Sequence, residues 1–124
     1  MKTKVAAIYG KQDIRIREFE LPAITDNELL VSVISDSVCL STWKAAALGS
    51  DHKRVPDDLE NHPVITGHEC AGIIVEVGKN LTDKYKKGQR FVLQPAMGLP
   101  SGYSAGYSYE YFGGNATYMI IPEV

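Results

Sequence analysis

Apolar and polar residues alternate along the first third of the chain. Ile14 and Ile16 flank Arg15, and Leu29, Val31 and Val33 stand two apart, the period of a strand whose successive side chains point to opposite faces. This pattern predicts an antiparallel start, with Gly10-Lys11-Gln12-Asp13 as the turn between the first two strands and Pro22 with Thr25-Asp26-Asn27 as the connection to the third. From Ser41 to Leu48 the residues favour a short helix, with Ser41 or Thr42 suited to its N-cap and Gly49 to its end. Ser50 to Asn61 carries Lys53, Arg54, four acidic residues and Pro56, and reads as a surface loop that could edge a substrate site. Ala71 to Val77 returns to strand, with Ile73, Val75 and Val77 expected on one face and Ile74 opposite. Gly78-Lys79-Asn80 turns the chain, Arg90 to Gln94 forms a further strand, and Ala116 to Ile121 closes as the last. Between them, Pro95 to Gly114 is a long loop rich in Gly, Tyr, Ser and Pro, whose length points to a functional or docking role. Many short strands with one small helix predict a mainly β, barrel-like domain.

Composition adds bounds. The chain has 124 residues, 44% of them hydrophobic and 23% charged, the profile of one soluble globular domain with a core of its own. No apolar run is long enough to cross a bilayer, and the apolar stretch after Met1-Lys2-Thr3-Lys4 is too short for a secretory signal. The expected compartment is cytoplasmic. A formal charge of −2 with interspersed signs makes nucleic acid an improbable partner. Cys39 and Cys70 are the two cysteines; without a signal peptide they are expected as free thiols, metal ligands or core filler.

Gly67-His68-Glu69 stands just before a strand and is followed by Gly72 and Gly78. This ordered set resembles the zinc signature of the medium-chain dehydrogenase/reductase family. Cys39-Leu40-Ser41 lies upstream where that family puts its first zinc thiolate, and Lys87 to Val92 and Gly114 to Tyr118 resemble its later strands. The resemblance covers essentially the whole chain. It implies a GroES-like, partly open β-barrel over residues 1–124, the zinc-binding catalytic domain of an alcohol or polyol dehydrogenase, cut off before the nucleotide-binding domain. Within the family, Asp36 to Ser41, His52 to Asp58 and Gly67-His68-Glu69 are most similar to L-sorbose 1-phosphate reductases, which implies a small polyol or sugar phosphate as substrate.

The residue types also make chemical sense by themselves. Zinc accepts thiolate, imidazole and carboxylate, and a catalytic site keeps one position open; Cys39, His68 and Glu69 are such a set. A bound zinc lowers the pKa of coordinated water from about 16 to roughly 7 and polarises a ketone in the reverse direction. The resemblance gives Ser41 the role of proton relay, although serine at that place is equally suited to a plain helix cap. Glu69 coordinates directly, coordinates through water, or sits behind the metal.

Three departures from the family pattern stand out. Lys44 replaces the histidine that usually extends the relay, and Leu40 replaces an arginine some members use against cofactor phosphates. No cysteine follows Cys70, so the four-cysteine structural zinc lobe of many relatives cannot form, and one metal site is expected. No Gly-x-Gly-x-x-Gly occurs, so a Rossmann domain is absent from these residues and NAD or NADP would be bound in the full-length protein. Trp43 either walls the pocket or belongs to the core, Cys70 is expected to pack inward, and the tyrosines of the long loop are expected to be structural. Lys53 and Arg54 are candidate phosphate-binding residues, set against the plainer reading of a solvated run balanced by Asp51, Asp57, Asp58 and Glu60. An apolar face left for the missing domain should drive self-association, so a homo-oligomer is expected. The alternative to an enzyme fragment is a stand-alone GroES-like binding or assembly module with vestigial metal residues.

Overall fold

The computed structural model describes residues 1–94, 98–99, 101–109 and 111–123. Its elements, in chain order, are β1 (Lys2–Gly10), β2 (Asp13–Glu20), β3 (Glu28–Asp36), α1 (Leu40–Leu48), β4 (Val64–Ile65), β5 (Cys70–Val77), β6 (Arg90–Val92) and β7 (Tyr118–Pro122). They make two antiparallel sheets, ordered β2-β1-β4 and β6-β5-β3-β7. The sheets are sewn together where the chain just before β7 runs between β1 and β3. Val5 pairs with Ala116, the Ala6 N–H donates to the Asn115 carbonyl at 2.9 Å, and the Val33 N–H donates to the Thr117 carbonyl at 3.1 Å. β2 and β6 end their sheets unpaired on their outer sides. The result is the mainly β, partly open barrel that the sequence pattern predicts. Among the described residues no helix is long and apolar enough to cross a membrane.

The first half of β3 is covered on both faces. Leu29 and Val31 join Ile74, Phe112 and Met119 in one cluster, while Leu30 joins Leu21 and Ile120 in another. The strand therefore reads as a nearly continuous apolar run, and its period of two describes only one of its faces. The expected face of β5 needs correction for a related reason. Opposite the adjacent pair Leu30 and Val31, β5 pairs through Glu76 and then Ile74, so Val75 is an extra residue. A bulge of this kind breaks alternation. Ile74 and Val77 consequently share one core cluster, Val75 packs with Leu30 in the other, and Ile73 faces outward.

Helix α1 buries Ala45 and Ala46 and ends at Gly49, whose φ of +55° only glycine adopts at little cost. A Cβ there would also lie 2.8 Å from the Lys11 amide nitrogen. The helix is tied to the first turn by the Gln12 N–H, which donates to the Ala46 carbonyl at 2.7 Å. Its N-cap is neither Ser41 nor Thr42: Cys39 occupies that position and no side chain caps the helix. Ser41 is one residue inside the first turn, and its hydroxyl is engaged elsewhere. Trp43 is 63% exposed, so it is not a core residue; it lies on the outer side of the helix.

Pro95, Ala96, Met97, Pro100 and Glu110 of the long loop lie outside the described residues. The described part is irregular apart from single bridges at Gly98–Ser104 and Ile65–Ser108. Leu99, Ala105 and Phe112 enter the core of the larger sheet, and Tyr107 enters a second core with Ile8, Ala45, Val55, Leu59 and Val64. Apolar and aromatic packing anchors this loop on two cores at once. Phe112 is 2% exposed, so Phe112→Ala should remove about 3–5 kcal/mol of stability. A urea unfolding curve checks this, and a loss below about 1 kcal/mol would show that the loop does not depend on that anchor.

Candidate metal centre

The site grows out of the register between β3 and β5. Asp36, the last residue of β3, pairs with Cys70, the first of β5. The chain leaving β3 through Ser37 and Cys39 therefore runs beside the chain entering β5 through His68 and Glu69. The Ser37 N–H donates to the Glu69 carbonyl at 3.3 Å, and the Glu69 N–H donates to Asp36 Oδ1 at 3.3 Å. Gly67, at φ +101°, turns the chain into this position. A Cβ on it would overlap Asp36 Oδ2 and the Asn115 amide, so no other residue fits before His68.

Three ligand atoms, one each from Cys39, His68 and Glu69, lie within 4.8 Å of one another. Zinc bonds of about 2.0–2.3 Å put neighbouring donors of a tetrahedral site roughly 3–4 Å apart, so a small inward adjustment would close these donors on an ion. Ser41 stands in the middle: its Oγ is 3.0 Å from Cys39 Sγ and 3.2 Å from His68 Nε2. Glu69 Oε1 is 3.5 Å from the same nitrogen. His68 Nε2 thus points into the cluster. A hydrogen bond from the Cys39 thiol, then one with Ser37, holds the Glu69 carboxyl below its usual range. Its side chain is 40% exposed, against 11% for His68, so the cluster has one wet side through which a small molecule can enter.

Beneath the cluster two polar atoms are buried without a partner, His68 Nδ1 and Asp36 Oδ2. Burial pushes the Asp36 carboxyl up, opposed in part by the Ser37 and Glu69 amides and by His68. Buried polar atoms are rarely left unpaired, and an imidazole that ligates a metal through one nitrogen commonly donates the other N–H to a carboxylate. These two orphaned atoms are of the right types for that bond, although they do not make it in this arrangement. On the other side Tyr107 packs its ring edge-on to His68 at 5.7 Å between centroids. His52 stacks on Tyr107 at 5.6 Å, and the Arg54 guanidinium carbon lies 5.5 Å from the centre of the Tyr107 ring.

The structure therefore brings Cys39, Ser41, His68 and Glu69 together, and sets Arg54 one aromatic ring away. Lys53 is exposed on the same turn. Sequence reasoning missed the positions of Tyr107 and Asp36 beside His68. Tyr107 is hidden among the tyrosines of a long loop, and Asp36 is distinguished by nothing except its place three residues before Cys39.

Residues 25–124 match the family model described as the alcohol dehydrogenase GroES-like domain, and the chain belongs to that family. Over its 124 residues it is 92% identical to the uncharacterized protein YggP of Escherichia coli (strain K12), covering 29% of that protein. It is 68% identical to mannitol-1-phosphate 5-dehydrogenase of Aliivibrio fischeri, over 99% of this chain and 29% of the relative. It is 47% identical to L-sorbose 1-phosphate reductase of Klebsiella pneumoniae, over 97% of this chain and 30% of the relative. Among solved structures, 2R,3R-butanediol dehydrogenase from Bacillus subtilis superposes with a TM-score of 0.78 at 27% identity, covering 97% of this chain and 38% of that one. The chain spans less than a third of the length of these curated relatives.

The two thiols differ sharply in environment. Cys70 is 3% exposed, and burial, with the Asp36 charge second, pushes its pKa up to about 12. Its thiolate fraction at pH 8 is on the order of one in ten thousand. Iodoacetamide at pH 8 should therefore label Cys39 in metal-free native protein and reach Cys70 only after unfolding. Peptide mass spectrometry reads the outcome, and equal labelling of both in the native state would contradict this assignment of environments.

Proposed function

We propose that this chain is the catalytic portion of a zinc-dependent oxidoreductase that interconverts a polyol or sugar-alcohol phosphate and its ketone with NAD or NADP. In this reading Cys39, His68 and Glu69 hold the zinc and Ser41 moves the proton. The observation that carries it is the convergence of thiol, imidazole and carboxylate on one point with a hydroxyl between them. Support for the substrate class comes from the relatives, two of which are named for a hexitol phosphate and a ketose phosphate.

When bound, zinc acidifies a hydroxyl or polarises a carbonyl placed beside it. The chain's own residues do the rest. Ser41, held in the first turn of α1, offers its Oγ to a substrate hydroxyl and passes the proton outward. Glu69 stays ionised and reaches solvent, which offsets metal charge. A small movement of Asp36 toward His68 would let its free Oδ2 accept the Nδ1 proton and fix the ring with Nε2 inward. Val38, Leu40 and Trp43 are 99%, 65% and 63% exposed beside Cys39, an apolar face suited to the nucleotide-binding part of the longer protein and to excluding water from the reaction.

In the full-length protein, Cys39→Ala should abolish zinc binding and NAD(P)-linked turnover of polyol phosphates together. Metal analysis and an absorbance assay at the nicotinamide band measure the two. Zinc-free wild-type protein that ignores added zinc, or full turnover by Cys39→Ala, would overturn the reading. Asp36→Asn should keep the fold and weaken zinc about 10–100-fold, seen by chelator competition; unchanged affinity would separate Asp36 from the ligand set.

A further inference from the structure

Two of the four acidic residues that flank the basic run His52-Lys53-Arg54 have partners outside it. Asp51 pairs with Lys11, and Asp58 takes the Asn61 amide at 3.2 Å and His62 at 3.4 Å. Among the described residues, no ion pair involves Lys44, Lys53 or Arg54. The run is also anchored rather than loose: Val55 and Leu59 are 6% and 3% exposed and pack with Tyr107 and Ala45. Its neighbour α1 carries Lys44 on the next turn after Ser41.

His52 reports the local field. Burial lowers its pKa, and the charges of Arg54, Lys53 and Lys44 lower it further, with no acidic group among the causes. The Arg54 backbone N–H donates to His52 Nδ1 at 3.1 Å. The neutral ring therefore carries its proton on Nε2 and remains a hydrogen-bond donor. Three cations without an ion pair thus lie within electrostatic reach of a neutral imidazole donor, and the Arg54 guanidinium lies over the Tyr107 ring. A planar guanidinium with ammonium charges beside it matches a phosphate monoester, whose oxygens take paired N–H donors and two negative charges.

We propose that Lys44, His52, Lys53 and Arg54 form the subsite for the phosphate group of a hexitol or ketose phosphate, separated from the reacting carbon by the width of the Tyr107 ring. This rests on the function proposed above and deepens it. Tyr107 is 2% exposed and lies between His68 on one side and His52 and Arg54 on the other, so it is a buried spacer that fixes the basic turn relative to the ligand cluster. The substrate in this arrangement has its oxidisable carbon toward Ser41 and its phosphate toward Arg54. The separation favours substrates whose phosphate is several carbons from the reacting one. No bond to phosphorus forms or breaks; the group serves for recognition only.

The test uses the full-length zinc-loaded protein with Lys53→Ala/Arg54→Ala, and Arg54→Lys beside it. The ratio of kcat/KM for mannitol 1-phosphate to that for mannitol should fall by roughly 100-fold in the double variant and by less in Arg54→Lys, which keeps the charge but loses the planar fork. Zinc content and the circular dichroism spectrum should match wild type. Calorimetric titration with inorganic phosphate supplies a readout independent of turnover. Wild type and the zinc-free Cys39→Ala protein should bind phosphate, and the double variant should bind it at least roughly tenfold more weakly. Inactivity of the wild type toward every polyol phosphate, with phosphate binding still lost in the double variant, would sink the proposed reaction and leave the anion site standing. Equal losses on both substrates, or phosphate binding indifferent to Lys53 and Arg54, would overturn the subsite.

Discussion

The pairing of β3 with β5 is the constraint on which the rest depends. Their antiparallel ladder runs from Leu29 and Val77 at one end to Asp36 and Cys70 at the other, and its last rung decides which residues can meet beyond it. A shift of one residue would reverse the faces of β5 and move His68 and Glu69 away from Cys39. The register is held by burial, since Val31 and Ile74 are 0% and 2% exposed at the middle of the ladder. It also needs Gly72, where a side chain would run into the Ser32 carbonyl. Packing forces thus set a chemical geometry: the apolar core fixes a rung, and the rung places a thiol beside an imidazole.

Around that rung the polar groups are arranged by what is left over. The Ser37 and Glu69 amides satisfy Asp36 Oδ1, leaving Oδ2 buried and unpaired, as is His68 Nδ1. Among the described residues these are the two buried side-chain atoms without a partner, and both belong to the neighbourhood of the candidate ligand His68, where orienting a ring would have functional value. The long loop contributes from the opposite side. Anchored by Phe112 on one core and Tyr107 on another, it presents a single aromatic ring to both His68 and the basic turn. A segment without regular structure is as well positioned there as a strand would be, because its side chains carry the packing that backbone ladders supply elsewhere.

Much of the fold was legible in the sequence. Alternation marked the strands, Gly49 marked the end of the helix, and the spacing of Cys39 and Gly67-His68-Glu69 named the candidate ligands. Those signals are local: they arise from backbone propensity, turn chemistry and residue type within a few positions. Where the reading failed, the cause was an interaction between distant segments. Ser41 suited a helix cap by propensity, yet its hydroxyl lies between Cys39 and His68, a contact across 27 residues of chain to His68. Ile73, Val75 and Val77 seemed to share a face until the bulge at Val75, visible only against β3, separated them.

The sequence by itself determined a mainly β domain, its turns and a short helix, because each follows from short-range periodicity and chemistry, while the metal-ligand candidates followed from the resemblance of Cys39 and Gly67-His68-Glu69 to a family zinc signature. Tertiary structure alone decided that Asp36 is buried near His68 and that Tyr107 links His68 to Arg54. It also decided that Asp51 and Asp58 turn to other partners and leave Lys53 and Arg54 unpaired. No periodicity records these facts. They depend on which strands pair, in which register, and on which charges the resulting surface brings within reach of one another.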